Sequence, residues 1–119
     1  MILEGYFAKI NDYTEDELKL CVASSYPFFV KKGRMTHFPS LAPSEELLRG
    51  YKAGEVTWEQ YTDKFTDEMR RWMSKQSLKW LKQRDKVGDM IRLLCYERAD
   101  DRKCHRFLLL DILNSMEDE

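Results

Sequence analysis

Two thiols, an imidazole and a guanidinium stand at the two ends of one short loop in the stretch "LLCYERADDRKCHRFLLL", residues 93–110. Cys95 closes an apolar run, charged residues follow, and Cys104-His105-Arg106 opens a second apolar run. Such side chains can do nucleophilic, acid–base, redox, metal-binding or anion-binding chemistry. What they do depends on what positions them. If a helix begins at Cys104, its unpaired N–H groups and the positive end of its dipole favour a negative group. Arg106, with His105 beside it, strengthens that preference for a phosphate, sulfate or carboxylate. The same field lowers the pKa of Cys104 and makes it more thiolate-like. Cys104 is then the candidate nucleophile or redox group, with His105 or Glu97 as its proton-transfer partner, and Arg106 is the anion ligand.

Spacing limits each version of this chemistry. A phosphatase-like cradle needs a short turn closed by arginine, but Cys95 and Arg106 are eleven positions apart and Cys104 and Arg106 only two. The loop also has no glycine to let backbone N–H groups crowd an oxyanion. Cys95, Cys104, His105 and the distant His37 offer zinc ligands, yet no C-x₂₋₄-C pair is present. Adjacent residues at a helix start are expected to point different ways, so the expectation is that no metal is held. A reversible Cys95–Cys104 disulfide lacks a C-x-x-C signature. The plain structural alternative makes Cys95 and Cys21 buried core residues, with His105 and Arg106 pairing with Glu97, Asp100 or Asp101.

The elements that must position these groups follow from patterning. "MILEGYFAKI" and "LKLCVAS" have the β-branched, aromatic and alternating character of strands. Only "NDYTEDEL" separates them, which is short for a parallel crossover between neighbours, so their pairing stays open. The proline-interrupted stretch "SYPFFVKKGRMTHFPSLAP" reads as an ordered loop packed down by Tyr26, Phe28, Phe29 and Phe38. A first helix has Ser44 as its N-cap and Gly54 as its stop. A second, over 57–73, opens with a Thr57/Gln60 capping box. It carries an apolar stripe of Trp58, Tyr61, Phe65, Met69, Trp72 and Met73, read as core and not as a cofactor cage. Ser77 and Gly88 bracket a third helix with Leu78 and Leu81 inward. "MIRLLCYE" reads as the most buried strand and the segment from Cys104 to about Met116 as a final helix.

Strands early, helices between, then a strand and a helix predict one small α/β domain over residues 1–119 with a mainly parallel sheet flanked by helices. Ligands of such sheets sit outside the carboxyl ends of the strands. Those ends are Gly5-Tyr6, Ala23-Ser24 and Cys95-Tyr96-Glu97. Tyr6 and Cys95 therefore join Arg106 as candidate ligand-binding residues.

Composition bounds the function classes. The chain has 119 residues, 43% of them hydrophobic, which suits a folded domain with one modest core. No apolar run approaches the roughly 20 residues of a bilayer span, so no membrane partner is expected. The amino terminus lacks a basic segment before a long apolar one, and three cysteines do not make a secreted disulfide scaffold. Cytoplasmic location is the expectation. Net charge is −1, which gives no global field toward nucleic acid. Basic residues do cluster between Arg70 and Lys86, against Asp85 alone, while 111–119 is acidic. A run of that kind is either a solvated helix face or a backbone-phosphate contact.

The chain also resembles the family catalogued as domain of unknown function 488. The resemblance rests on "GYFAK", "FPSLAPSEELLRGYKAG", "WEQYTDKF" and above all "LLCYERADDRKCHRFLLLDIL". It is similar to the compact, single-domain version found in bacteria and their phages. The resemblance implies a small α/β fold and marks Tyr6, Cys95, Glu97, Cys104, His105 and Arg106; no activity or cofactor comes with it. Three readings stay open. The leading one is an anion- or nucleotide-binding pocket with a thiol-dependent enzyme built on it. The others are a nucleic-acid-binding accessory protein using residues 70–86 and the loop around Phe28, Phe29, Lys31 and Lys32, and an interaction protein of a phage or host without catalysis.

Overall fold

A computed structural model describes residues 1–116; the last three residues of the acidic end lie outside the described residues. Four parallel strands form one sheet: β1 (Ile2–Tyr6), β2 (Leu18–Cys21), β3 (Thr36–His37) and β4 (Ile91–Cys95), in the order β1-β4-β2-β3. The last strand in sequence is thus inserted between the first two. Ile2 pairs with Ile91 and Tyr6 with Cys95 on one side, and Leu18 with Ile91 and Cys21 with Leu94 on the other. This resolves the short β1–β2 link, since the two strands are not neighbours. A 3-10 helix, Phe7–Asp12, turns the chain at the end of β1.

Central placement explains the composition of β4. A strand paired on both edges and covered on both faces has no solvent side, and Ile91, Leu93 and Leu94 are fully buried. Each such side chain contributes about 1.5–3 kcal/mol relative to exposure. β1 contributes Gly5 instead of a side chain opposite Leu94, with which it is in register. A Cβ at Gly5 would lie 2.5 Å from the Tyr13 hydroxyl and 2.8 Å from Leu94 Cδ2. Glycine is needed there for close packing, with Tyr13 itself held under the Arg92 guanidinium at 4.0 Å.

Helices α1 (Glu45–Lys52), α2 (Trp58–Glu68), α3 (Trp72–Lys86) and α4 (His105–Ser115) complete the fold. Ser44 caps α1 by accepting from the Leu47 N–H, and Gly54 takes the left-handed φ of 77° just beyond its end. The Thr57/Gln60 capping box opens α2 as its spacing predicts. α4 packs against β1 and β4 through a broad apolar face that includes Phe107, Leu109 and Leu113.

Three expectations need correction. The stripe assigned to one helix over 57–73 is broken at Arg70-Arg71, so Trp72 and Met73 start α3 and are mostly exposed. The chain turns there because Arg71 takes extended dihedrals as the N-cap of α3. Ser77 is therefore interior to α3, where its hydroxyl meets that of Ser40 at 2.6 Å. The 26–42 stretch is ordered, but Phe28 is 99% exposed and Phe29 54%; Val30, Met35 and Leu41 hold it down. It also supplies the edge strand β3, whose two residues are too few to leave an alternating signature.

Candidate functional site

The carboxyl ends of β2 and β4 and the start of α4 meet around a cavity of about 360 Å³. Its lining includes Cys95, Cys104 and His105, with Glu97, Lys52 and Lys103 among the charged residues. β4 delivers Cys95 as its last residue. Cys104 is the N-cap of α4, with extended dihedrals of −139° and 146°, and His105 is the first helical residue. Because Cys104 stands outside the helical spiral, its side chain and that of His105 converge, contrary to the expected divergence. His105 Nδ1 lies 3.8 Å from Cys104 Sγ and 3.9 Å from Cys95 Sγ. All three ligand-type atoms fall within 4.8 Å of one another, and all three residues are buried.

His105 is held from behind. Its Nε2 is 2.7 Å from the Val22 carbonyl oxygen, which can only accept, so that nitrogen carries the proton. Nδ1 therefore faces the two sulfurs, with a lone pair when the ring is neutral and with an N–H when it is protonated. Phe65 meets the ring edge-on at 5.6 Å. The two thiols divide their protons unequally. The Cys95 thiol, beside the Cys104 sulfur and desolvated, is pushed strongly up. Cys104 is pulled well below the usual thiol range, first by the neighbouring Cys95 thiol and then by His105, against the opposing effect of burial. Burial pushes the neighbouring Tyr61 phenol up, so it stays neutral in the cavity wall.

Arg106 has a different place from the other candidates. It is fully buried and is not among the residues lining the cavity. Its Nε donates to Glu4 Oε1 at 3.0 Å, Nη1 to the Glu97 carbonyl at 2.5 Å and Nη2 to the Arg98 carbonyl at 2.7 Å. The guanidinium therefore clamps the β4–α4 loop to β1. That loop carries two non-glycine residues at left-handed φ, Ala99 at 54° and Arg102 at 59°, a conformation that needs outside support. The Arg102 N–H donates to the Ala99 carbonyl at 2.8 Å and the Lys103 N–H to Asp101 Oδ1 at 3.0 Å. Donors that hold the loop are not available to a ligand.

Glu97 reaches the cavity mouth, half-exposed, with its carboxylate 3.7 Å from Lys52 Nζ. Tyr6 lies beside Cys95 in the sheet register but outside the cavity lining, and its N–H donates to the Tyr13 hydroxyl at 3.1 Å. His37 sits on β3 with Nε2 2.8 Å from the Ala23 carbonyl oxygen and does not belong to the cluster. Cys21 is buried in β2, 3.8 Å from the Ser25 carbonyl oxygen. The cavity adds residues that the loop motif does not point to. Lys52, Tyr51, Trp58 and Tyr61 come from α1 and α2, and Lys103 precedes Cys104. Trp58 and Tyr61 do belong to the apolar stripe of α2, but one edge of that stripe borders the cavity.

No curated protein and no solved structure matches the chain. A family model described as the active DUF488-N3 subclade matches residues 7–117, which takes in β2 to β4, helices α1 to α4 and the whole Cys95–Arg106 loop. The chain belongs to the DUF488-N3 subclade of the family catalogued as domain of unknown function 488.

Proposed function

We propose that this protein handles a small molecule bearing an anionic group, with its chemistry centred on Cys95, Cys104 and His105 at the floor of the cavity. One observation carries the reading: three reactive groups and two lysines, Lys52 and Lys103, border a single cavity at the carboxyl end of the sheet. That is where open parallel sheets bind ligands. A volume of about 360 Å³ with aromatic and charged walls suits a nucleotide-sized molecule. Its ring would lie near Tyr51 and Trp58, and its phosphate near the lysines. Glu97, at the mouth, is the group placed to exchange protons with solvent. Arg106 serves this site by holding the loop.

The test is binding of inorganic phosphate and of AMP to wild type and to a Lys52→Glu/Lys103→Glu double variant. Binding to wild type that weakens at least about tenfold in the double variant is expected. Equal binding by both proteins, or none by wild type, would overturn the reading.

A second reading rests on the protruding Phe28 and Phe29 beside exposed Lys31 and Lys32. Exposed aromatics next to cations suit stacking on single-stranded nucleic acid. The cations of the 70–86 segment support it less, since Arg70, Arg71 and Arg84 pair with Asp67, Glu68 and Asp89. Labelled oligonucleotide that binds at low salt and is lost in Phe28→Ala/Lys31→Ala would establish it; no binding at low salt would dismiss it.

A further inference from the structure

We infer that Cys95, Cys104 and His105 form a three-ligand site for a zinc ion, with the fourth coordination position open to the cavity. The inference deepens the proposed function, on which it relies only for what fills that fourth position.

The donor set and its spacing carry the inference. Tetrahedral zinc with Zn–S near 2.3 Å and Zn–N near 2.0 Å separates sulfur from nitrogen by about 3.5 Å and sulfur from sulfur by about 3.8 Å. Here the two sulfur–nitrogen distances are 3.8 and 3.9 Å, and no pair in the set exceeds 4.8 Å. A contraction of a few tenths of an ångström brings the nitrogen to zinc-ligand spacing from both sulfurs, and the sulfurs need approach each other by no more than about 1 Å. Two sulfurs and an imidazole nitrogen also select zinc over the hard cations magnesium and calcium, which prefer oxygen.

Orientation is independent support. A histidine that binds metal through one ring nitrogen usually donates the other N–H to a fixed acceptor, which sets its tautomer. The 2.7 Å contact from Nε2 to the Val22 carbonyl does this, leaving Nδ1 for the metal. Val22 follows the last residue of β2, and its own N–H is bonded to the Leu94 carbonyl at 3.0 Å, so the acceptor is anchored in the sheet. Cys95 at a strand end and Cys104 at a helix N-cap are equally fixed by backbone structure.

Openness decides the class of site. Structural zinc sites have four protein ligands, whereas reactive ones keep a position for water or substrate. Among the described residues no fourth histidine, cysteine or carboxylate joins the group. All three ligands line the cavity. An anionic oxygen of the bound molecule, or a water, would complete the tetrahedron, with Lys52 and Lys103 taking the rest of the negative charge.

The experiment is metal reconstitution of the full chain after treatment with a chelator and reductant. Zinc per chain is measured by mass spectrometry, and Co²⁺ is added in parallel as a spectroscopic probe. The expected result is one zinc per chain and a sulfur-to-cobalt charge-transfer band whose d–d absorption shifts when inorganic phosphate is added. Cys104→Ser should lose most of the charge-transfer intensity, with circular dichroism checking that it folds. Should that variant not fold, the wild-type cobalt spectrum alone decides. Wild type that takes up no zinc and gives no charge-transfer band overturns the zinc site. Phosphate and AMP binding that survives in the metal-free protein and still depends on Lys52 and Lys103 would then leave the cavity reading standing. Zinc uptake with no phosphate effect on the cobalt spectrum overturns the open position.

Discussion

Arg106 shows how far residue type can mislead without geometry. A guanidinium two positions after a cysteine at a helix start reads as an anion ligand, but its three nitrogens are committed to Glu4 and to two loop carbonyls. A buried charge with its partners removed is expensive, so Arg106→Ala should lose on the order of 3 kcal/mol of stability in chemical denaturation. Glu4→Gln, which keeps the shape and leaves the carbonyl bonds, should lose about 1 kcal/mol. Similar losses for the two variants would contradict the clamp. A second charged contact makes a pH prediction. Glu17 sits 2.5 Å from Arg92 Nε, and that hydrogen bond chiefly holds its carboxyl below the ordinary value of 4.5. The folded value is lower than the unfolded one, so its contribution is complete above pH 4.5 and is lost as pH falls through the folded value. Denaturation curves taken from neutral to acid pH should show Glu17→Gln less stable than wild type at pH 7. The gap should close as the medium becomes acidic; a gap that stays constant with pH would rule this pairing out.

At the scale of elements, Gly5 is the position where packing is least forgiving. Gly5→Ala would force the Tyr13 hydroxyl and Leu94 apart and should destabilise by about 1–3 kcal/mol in thermal or chemical unfolding. An unchanged midpoint would mean that Tyr13 moves freely, against its place under Arg92. The helices α1, α2 and α4 and the buried strand β4 were legible in the sequence, because Ser44, the Thr57/Gln60 box and the run Ile91–Cys95 act through local bonds and burial patterns. The start of α3 was not. Trp72 and Met73 continue the apolar period of α2, and only backbone dihedrals at Arg71 break it. β3 and the insertion of β4 between β1 and β2 depend on non-local pairing that leaves no mark in a short window. The site divides the same way. Cys95, Cys104 and His105 could be picked by type, but the convergence of two adjacent side chains depends on the extended Cys104. Lys52 and Tyr51 enter only because α1 packs on α2 at the cavity's edge.

For the whole molecule, the fold brings two strand ends, one helix start and the α1–α2 pair to a common cavity, leaving Cys21 buried inside β2 as an internal reference. Among the described residues no helix is long and apolar enough to cross a membrane. Whether the cavity and its three reactive side chains act as one centre can be tested with AMP as the probe. The measurement is the rate of iodoacetamide alkylation at each cysteine in chelator-treated protein, resolved by mass spectrometry, with and without AMP. The geometry predicts that AMP slows Cys104 and Cys95 together by at least about tenfold and leaves the rate at Cys21 unchanged. Equal rates with and without AMP, or slowing of all three cysteines alike, would contradict the claim that the two thiols and His105 form one ligand-binding centre.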